Sequence, residues 1–420
     1  MLLQHSFNLL SGIFIGAMVA RHYGPELFGA FSLSLFYVSV VAVIAGLGTD
    51  DLLAAQCIKE PLSKEGLFWA TFFIRLLTFV MCATLGFFVL RFFNVPDLVY
   101  KGYGLALLSG LLGNMNLFGA IAKSKQRIDK KAQIAIVSLF LSMAYRVFIV
   151  LTNKDIEHLF FNLIMVSFVD LLLMICYLRA EKMMYSFSAP NWSGALQLMR
   201  KSLPIAAGSV ATIVGGNMAL ILMSELLGLD SAGRYAVVYK LYGFVIFLSI
   251  LMHNNLFYYM ESSGLSAGKF LEQHLRVIIK TTTAFSYLLI IGSLVALAPL
   301  LEILYGEQYQ GVGLKFSLVS ISFVFAWATI PAQLKLLSEK RTGRIMAIDF
   351  IGLAINFSGA YVLIHMYGEW GAYFLIPCAA FSVMLANYFC SGLGNKLKHV
   401  FVCFLIPVPT KTALKAFTKH

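Results

Sequence analysis

The chain has 420 residues, 60% of them hydrophobic and 12% charged, with a formal net charge of +12. Soluble domains are about half apolar and a quarter charged, so this composition excludes an ordinary soluble globule, whose wet surface it cannot supply. The positive balance does not select nucleic acid, because Lys and Arg sit in short loops with no long basic run and no aromatic RNA-binding motif.

A hydrocarbon core roughly 30 Å thick requires about 20 mostly apolar residues per helix. The apolar runs here are continuous rather than alternating, which excludes a β-barrel. In chain order they predict spans at 3–20, 28–48, 67–90, 102–122, 134–152, 159–178, 204–226, 236–259, 281–304, 312–334, 346–366 and 372–392. The fold class is therefore an all-α membrane protein with about twelve transmembrane helices. The longest connection, around 179–203, holds Pro190, Asn191 and Trp192 and runs up to Pro204. The expected organisation is a six-helix bundle over 1–180, a cytoplasmic linker over 181–203, a second six-helix bundle over 204–393 and a cytoplasmic tail over 394–420. Segment 400–409 is apolar but too short to span, and Pro407 and Pro409 break it, so it reads as surface tail. The first apolar stretch lacks a basic n-region, so no cleavable signal peptide is expected. Cys57, Cys82, Cys176, Cys378, Cys390 and Cys403 have no C-x-x-C spacing and read as small apolar residues, with no metal site or disulfide framework.

With the N-terminus in the cytoplasm, inner loops and tail carry 23 of the 32 Lys and Arg, outer loops and span ends seven, and Arg75 and Lys240 lie inside spans. The positive-inside rule then places both termini in the cytoplasm. On that topology Tyr23, Tyr100, Tyr103, Tyr305, Tyr309, Tyr367, Trp370 and Tyr373 form an outer aromatic belt.

An internal repeat organises the chain. Residues 24–32 read GPELFGAFS and residues 228–236 read GLDSAGRYA. Both give Gly, any, acid, any, any, Gly, any, aromatic, small, and each joins one apolar helix to the next. Glycine permits a tight bend with positive φ, and the acid is placed to accept N–H bonds at a helix start. Two repeated bundles with a substrate path between them are a common transporter plan.

The segment ARHYGPELFGAFSLS, Ala20 to Ser34, followed by a helix ending AGLGTDD, Ala45 to Asp51, resembles the O-antigen and capsule polysaccharide flippases, often called Wzx. These belong to the multidrug/oligosaccharidyl-lipid/polysaccharide exporter superfamily. LLGLDSAGRYAVVYKL, Leu226 to Leu241, and LYGEQYQG, Leu304 to Gly311, are similar as well. The chain starts almost inside span one, where that family usually has a longer and often basic segment. The resemblance implies a MATE-like or MurJ-like exporter fold of two six-helix lobes opening alternately, with spans 1, 2, 7 and 8 lining a cavity. The implied cargo is an undecaprenyl-pyrophosphate-linked oligosaccharide, moved from the cytoplasmic to the periplasmic leaflet of a bacterial inner membrane. It implies no enzyme activity and no cofactor, with H+ or Na+ as coupling ion. The partners implied are the lipid-linked substrate, membrane lipid, a polysaccharide polymerase and a chain-length regulator. No nucleic acid is expected, and the working unit is a monomer.

Such a cargo needs cations for its pyrophosphate, for which the Arg fork is suited. A charge at mid-helix costs about 2.5–3.5 kcal/mol on insertion scales, so each one requires a reason. Arg75 lies ~13 Å into span three at 1.5 Å per residue. It reads either as a pyrophosphate cation or as the ion-pair partner of an acid such as Asp170. Lys240 and Arg21 are further pyrophosphate candidates, although Lys240 can snorkel and Arg21 also suits a helix C-terminus. Asp170, near the middle of span six, reads equally as a coupling carboxylate or a structural partner. Glu225 ends span seven at the interface, and Asp349 is placed to pair with Lys340, Arg341 or Arg344. For the glycan, span eight offers Tyr239, Tyr242, His253, Asn254 and Asn255, and span seven offers Asn217. Helix–helix hydrogen bonding is the competing role for the asparagines. A drug exporter of the same superfamily would want an acid-dominated cavity. A polymerase or lipid-linked glycosyltransferase would want a large catalytic outer loop, and no outer loop here is long enough. A structural membrane protein without transport is the remaining alternative.

Overall fold

The structure, a computed structural model, describes residues 2–59, 64–125, 127–262 and 267–405. The described residues are almost entirely helical, and eleven helical stretches are long and apolar enough to cross a membrane. The first of them, Phe14–Gly46, lies in a helix that runs through the predicted spans 3–20 and most of 28–48. Helix α1 (Leu2–Gly46) is interrupted at Gly24, where φ is 76° and ψ is 170°, with Pro25 opening the second segment. The chain divides into two compact units, Met1–Val214 and Gly215–His420.

In the first unit α1 is followed by α2 (Thr49–Lys59), α3 (Lys64–Phe92), α4 (Asp97–Met115), α5 (Phe118–Ser124), α6 (Ile128–Leu151) and α7 (Glu157–Ala180), and α8 (Trp192–Leu227) begins there. Helix α3 shows how the composition is used. Leu77, Met81, Leu85, Phe88 and Phe92 are exposed at spacings of three and four, while Phe68, Thr71, Arg75, Phe79 and Leu90 are buried. With lipid as solvent the outward face is apolar, and the polar residues turn inward where partners exist.

The connector between α7 and α8 is strapped to the first unit. Trp69 Nε1 donates to the Ser186 carbonyl at 2.9 Å, and the Asn191 N–H donates to the Gly66 carbonyl at 2.9 Å. The Tyr185 ring packs edge-on against Phe68, with Lys64 Nζ 5.6 Å from its centroid. Burial pushes the Tyr185 phenol up to about 12 and raises the Cys57 thiol beside it. The expected linker over 181–203 is thus non-helical only as far as Asn191. The Asn191 Oδ1 accepts the Gly194 N–H at 3.0 Å, an N-cap that starts α8 twelve residues before the predicted span.

The second unit holds the end of α8, then α9 (Leu229–Ser262), α10 (Ala267–Gly292), α11 (Ala298–Tyr305), α12 (Val312–Ser320), α13 (Ser322–Ala328), α14 (Ile330–Ser338), α15 (Thr342–Tyr367), α16 (Glu369–Cys390) and α17 (Leu397–Leu405). A π-helical segment, Ser293–Leu297, joins α10 to α11. Helix α17 lies at the start of the segment expected as tail, 394–420. Val400 and Cys403 are buried, and the Tyr287 hydroxyl donates to the Phe404 carbonyl at 2.8 Å, so the segment is docked on α10. Pro407, Pro409 and the rest of that tail lie outside the described residues.

The repeat has a backbone counterpart. Gly24 and Gly228, the first positions of the two matched segments, both have positive φ, 76° and 90°. Nothing lies within 4 Å of a Cβ added at Gly228, so only the backbone conformation demands glycine there. Gly228→Ala is accordingly expected to cost about 1–2 kcal/mol, the penalty of placing an L residue in that region. The thermal midpoint of the purified protein in detergent measures it.

Candidate functional site

Two polar constellations and one cavity stand out, each contained within one unit. In the first unit Arg75 is 5% exposed, so it is neither snorkelled nor lipid-facing. Its Nε and one terminal nitrogen both donate to Asn114 Oδ1, at 3.0 and 2.9 Å. The other terminal nitrogen donates to Asp50 Oδ1 at 2.6 Å and lies 3.5 Å from Thr49 Oγ1. Asn114 Nδ2 in turn donates to the Arg75 carbonyl. The Arg75 side chain is 7% exposed while that of Asp50 is 61% exposed. A buried cation is thus fixed from inside by a neutral amide and balanced from outside by an exposed carboxylate.

The partner of Arg75 is therefore Asp50 and not Asp170. Asp170 instead accepts hydrogen bonds from Asn116 Nδ2 and, at 3.5 Å, from Ser138 Oγ. The two residues belong to separate networks because Asn114 and Asn116, two positions apart at the end of α4, face different neighbours. Asp50 and Asn114 were not candidates from sequence. Asp50 lies in AGLGTDD, but distance along the chain gave no sign that the start of α2 meets the middle of α3.

In the second unit Glu369, which opens α16, gathers two bases. Lys315 Nζ lies 2.6 Å from Glu369 Oε1, and Arg234 Nε lies 3.4 Å from the same atom. Arg234 also pairs with Asp230 at 2.5 Å. The Tyr373 hydroxyl donates to Glu369 Oε1 at 3.3 Å, and Lys315 Nζ sits 5.3 Å from the Tyr373 ring centroid and 5.9 Å from that of Trp370. The repeat acid Asp230 thus holds an arginine one turn on. Tyr103, Tyr305, Tyr309 and Tyr373, expected in an outer belt, are at most 2% exposed. Their rings fill cores: Tyr305 packs on Tyr309, and Tyr103 donates to the Ala83 carbonyl. Tyr367 and Trp370 are exposed.

From this network an aromatic file descends α9. Tyr373 meets Tyr235 at 5.6 Å, Tyr235 stacks on Tyr239 at 5.7 Å, Tyr239 lies 6.0 Å from Tyr242, and Tyr242 stacks on Phe323 at 6.1 Å. Tyr239 and Tyr242, expected to offer faces to a sugar, are half-buried and occupied by each other and their neighbours. Asn254, Asn255, Lys240, Arg21 and Glu225 are exposed, and Asn217 is half-buried.

Asp349 is not in the surface ion pair expected for it. Arg341 pairs with Glu339 at 2.7 Å, and Arg344 donates to the Cys390 carbonyl at 2.6 Å. The Asp349 side chain lines a cavity of about 210 Å³ with His253, Ser249, Gln333 and Asn387. Arg341 and Arg344, eight and five residues before Asp349, are engaged by these other partners instead.

A family model described as polysaccharide biosynthesis protein matches residues 18–313. The chain belongs to that family. The chain is 28% identical over 232 residues to the succinoglycan biosynthesis transport protein ExoT of Rhizobium meliloti, an alignment covering 52% of this chain and 44% of that protein. The chain is thus matched to under half the length of that curated relative. Two solved structures share its fold. One is a lipid II flippase MurJ in an inward closed conformation, with 13% identity, a TM-score of 0.72 and coverage of 99% of this chain and 95% of that one. The other is an inward-facing multidrug resistance MATE transporter, with 13% identity, a TM-score of 0.73 and coverage of 96% of each chain. This member of the polysaccharide biosynthesis family is therefore a multi-pass membrane protein with the MATE-like fold.

Proposed function

We propose that the chain is a flippase for an undecaprenyl-pyrophosphate-linked oligosaccharide, an O-antigen or capsule repeat unit, moved from the cytoplasmic to the periplasmic leaflet of a bacterial inner membrane by alternating access. The family, the transport role in the name of ExoT and the flippase role in the name of MurJ support this reading. One observation carries it to this cargo. Arg75 is a buried guanidinium whose counter-ion, Asp50, is largely exposed. A pyrophosphate oxygen offers the same charge-assisted geometry as the Asp50 carboxylate and can take its place, while Asn114 keeps the guanidinium oriented. Both termini are cytoplasmic on this reading, Lys240 and Arg21 remain secondary pyrophosphate contacts, and Asn217, Tyr239, Tyr242, Asn254 and Asn255 remain the glycan candidates. Asp170, Glu225 and Asp349 are the carboxylates available for coupling.

Deletion of the gene is expected to abolish surface polysaccharide and to leave lipid-linked repeat units in the cytoplasmic leaflet. The wild-type gene restores display. Arg75→Lys, a point charge without the planar fork, is expected to restore it at least tenfold less well at equal protein level, which corresponds to about 1.4 kcal/mol. Full display in the deletion strain with no related exporter present would sink the proposal. Altered drug susceptibility with unchanged polysaccharide would instead favour a small-molecule exporter.

A further inference from the structure

The connector between α7 and α8 carries an apolar surface of its own. Phe187 packs against Trp69 at 5.3 Å and Phe73 at 6.4 Å between ring centroids, yet it stays 71% exposed. Trp69 and Phe73 are the first steps of a ridge on α3 that continues in fours through Leu77, Met81 and Leu85, the side this helix turns to lipid. At 1.5 Å per residue the stretch from Phe73 to Phe92 measures ~29 Å, close to the roughly 30 Å of the hydrocarbon core. Trp69 and Phe187 are therefore at the level where hydrocarbon gives way to headgroups, the depth at which Trp is enriched. The connector is fixed there. Besides the bonds that join Trp69 to Ser186 and Asn191 to Gly66, a Cβ at Gly66 would stand 2.6 Å from the Ala189 carbonyl oxygen, so the chain lies directly on the start of α3.

Helix α8 opens on a similar surface. At 3.6 residues per turn Ala195, Leu198 and Ser202 share one face and are buried, and Trp192, Leu196 and Leu203 form an exposed apolar strip beside it. Arg200 and Lys201 lie on the remaining, exposed sector. Arg179 and Lys182, at the other end of the connector, are exposed as well, and the one acid within 179–201 is Glu181. Among the described residues no ion pair engages any of these four bases. An apolar strip beside a basic one is the pattern of a helical surface in a membrane interface, and unpaired bases there attract anionic headgroups. A soluble partner could meet the bases, but it would leave unexplained an aromatic ridge continuous with the lipid-facing side of α3.

We propose that residues 179–201 form an interfacial anchor for anionic phospholipid: Phe187 and Trp192 enter the leaflet, and Arg179, Lys182, Arg200 and Lys201 hold acidic headgroups beside them. On the topology proposed above this is the cytoplasmic leaflet. Orientation of the chain by the positive-inside rule accounts for the bases but not for the two aromatic rings left exposed between them. The anchor sets a preference among lipids and does not depend on what is transported.

The full-length protein is placed in nanodiscs of phosphatidylcholine and phosphatidylglycerol, with one or the other lipid brominated in its upper acyl chain, and contact is read as quenching of tryptophan fluorescence. Trp192 is read as the difference between wild type and Trp192→Phe, and position 187 as the difference between Phe187→Trp and wild type. Both are expected to be quenched, and at equal mole fraction by phosphatidylglycerol about twofold or more as strongly as by phosphatidylcholine. Raising NaCl from about 0.1 to 1 M, which shortens the Debye length from about 10 to 3 Å, is expected to weaken that preference. With Arg179, Lys182, Arg200 and Lys201 all changed to Gln the preference is expected to vanish while quenching by phosphatidylcholine persists, which separates loss of charge from loss of fold. Changing Lys340 and Lys398, exposed bases of the second unit, to Gln is expected to leave it unaltered. Equal quenching by the two lipids in wild type overturns the proposal, as does a preference that survives the four substitutions. So does a lack of quenching by either lipid, since the segment then faces water or a second copy of the chain.

Discussion

Glu369→Ala is expected to lower stability by about 3–5 kcal/mol, the cost of breaking a buried ion pair by removing one partner. Glu369 accepts hydrogen bonds from Lys315 and the Tyr373 hydroxyl and is ion-paired with Arg234. Its removal strands the Lys315 ammonium, whose side chain is 8% exposed and has aromatic rings on its other sides. The converse change is milder. Lys315→Met leaves Glu369 with Arg234 and Tyr373 and is expected to cost about 1–2 kcal/mol, since an unbranched apolar chain fills the same space. Combining the two should recover part of the Glu369→Ala loss, because the stranded charge is gone. Asp230→Asn, at the half-exposed end of the network, should cost at most about 1 kcal/mol. Thermal midpoints of the four variants in one detergent give the order. If Glu369→Ala proves no worse than Asp230→Asn, the network does not hold this end of the second unit together.

Around Arg75 the ranking is expected to run against charge. Asp50 carries the formal counter-charge, yet Asp50→Asn should cost only about 1 kcal/mol, because its side chain is 61% exposed and water replaces it. Asn114→Leu should cost about 3 kcal/mol, since it removes the acceptor of two guanidinium donors and leaves a buried cation half satisfied. Arg75→Ala should cost about as much, as it empties a packed site and orphans Asn114. The transport effect should diverge from the stability effect. Asp50→Asn weakens the internal counter-ion and is expected to leave polysaccharide display largely intact, whereas Arg75→Ala should abolish it even where the protein still reaches the membrane. Display measured against membrane protein level separates the two. Equal loss of display from both variants would mean that the Arg75–Asp50 pair serves architecture rather than cargo.

What was legible in advance can be seen residue by residue. The glycines of the repeat were readable because a local signature, Gly with an acid two positions on, maps onto a local backbone event, positive φ at Gly24 and Gly228. Arg75 was readable as exceptional because a charge at mid-span is expensive wherever it points. Its partner was not, because Asp50 and Asp170 both belong to the same half of the chain and only packing brings one of them to the guanidinium. The tyrosines of the outer loops misled for a related reason. An interfacial belt and a buried cluster use the same amphipathic side chain, and sequence position near a span end fits both.

Composition and run length by themselves determined that this chain is a helical membrane protein with about twelve spans. That follows because every backbone polar group in hydrocarbon must be satisfied within its own segment, which ties span to sequence directly. The tertiary structure alone decided which carboxylate neutralises Arg75, that Glu369 joins Lys315 to Arg234, that 397–405 docks as a helix, and that Asp349 and His253 line one cavity. These are pairings between distant segments, and their energies depend on burial and on geometry within a few ångströms, which no spacing along the chain encodes.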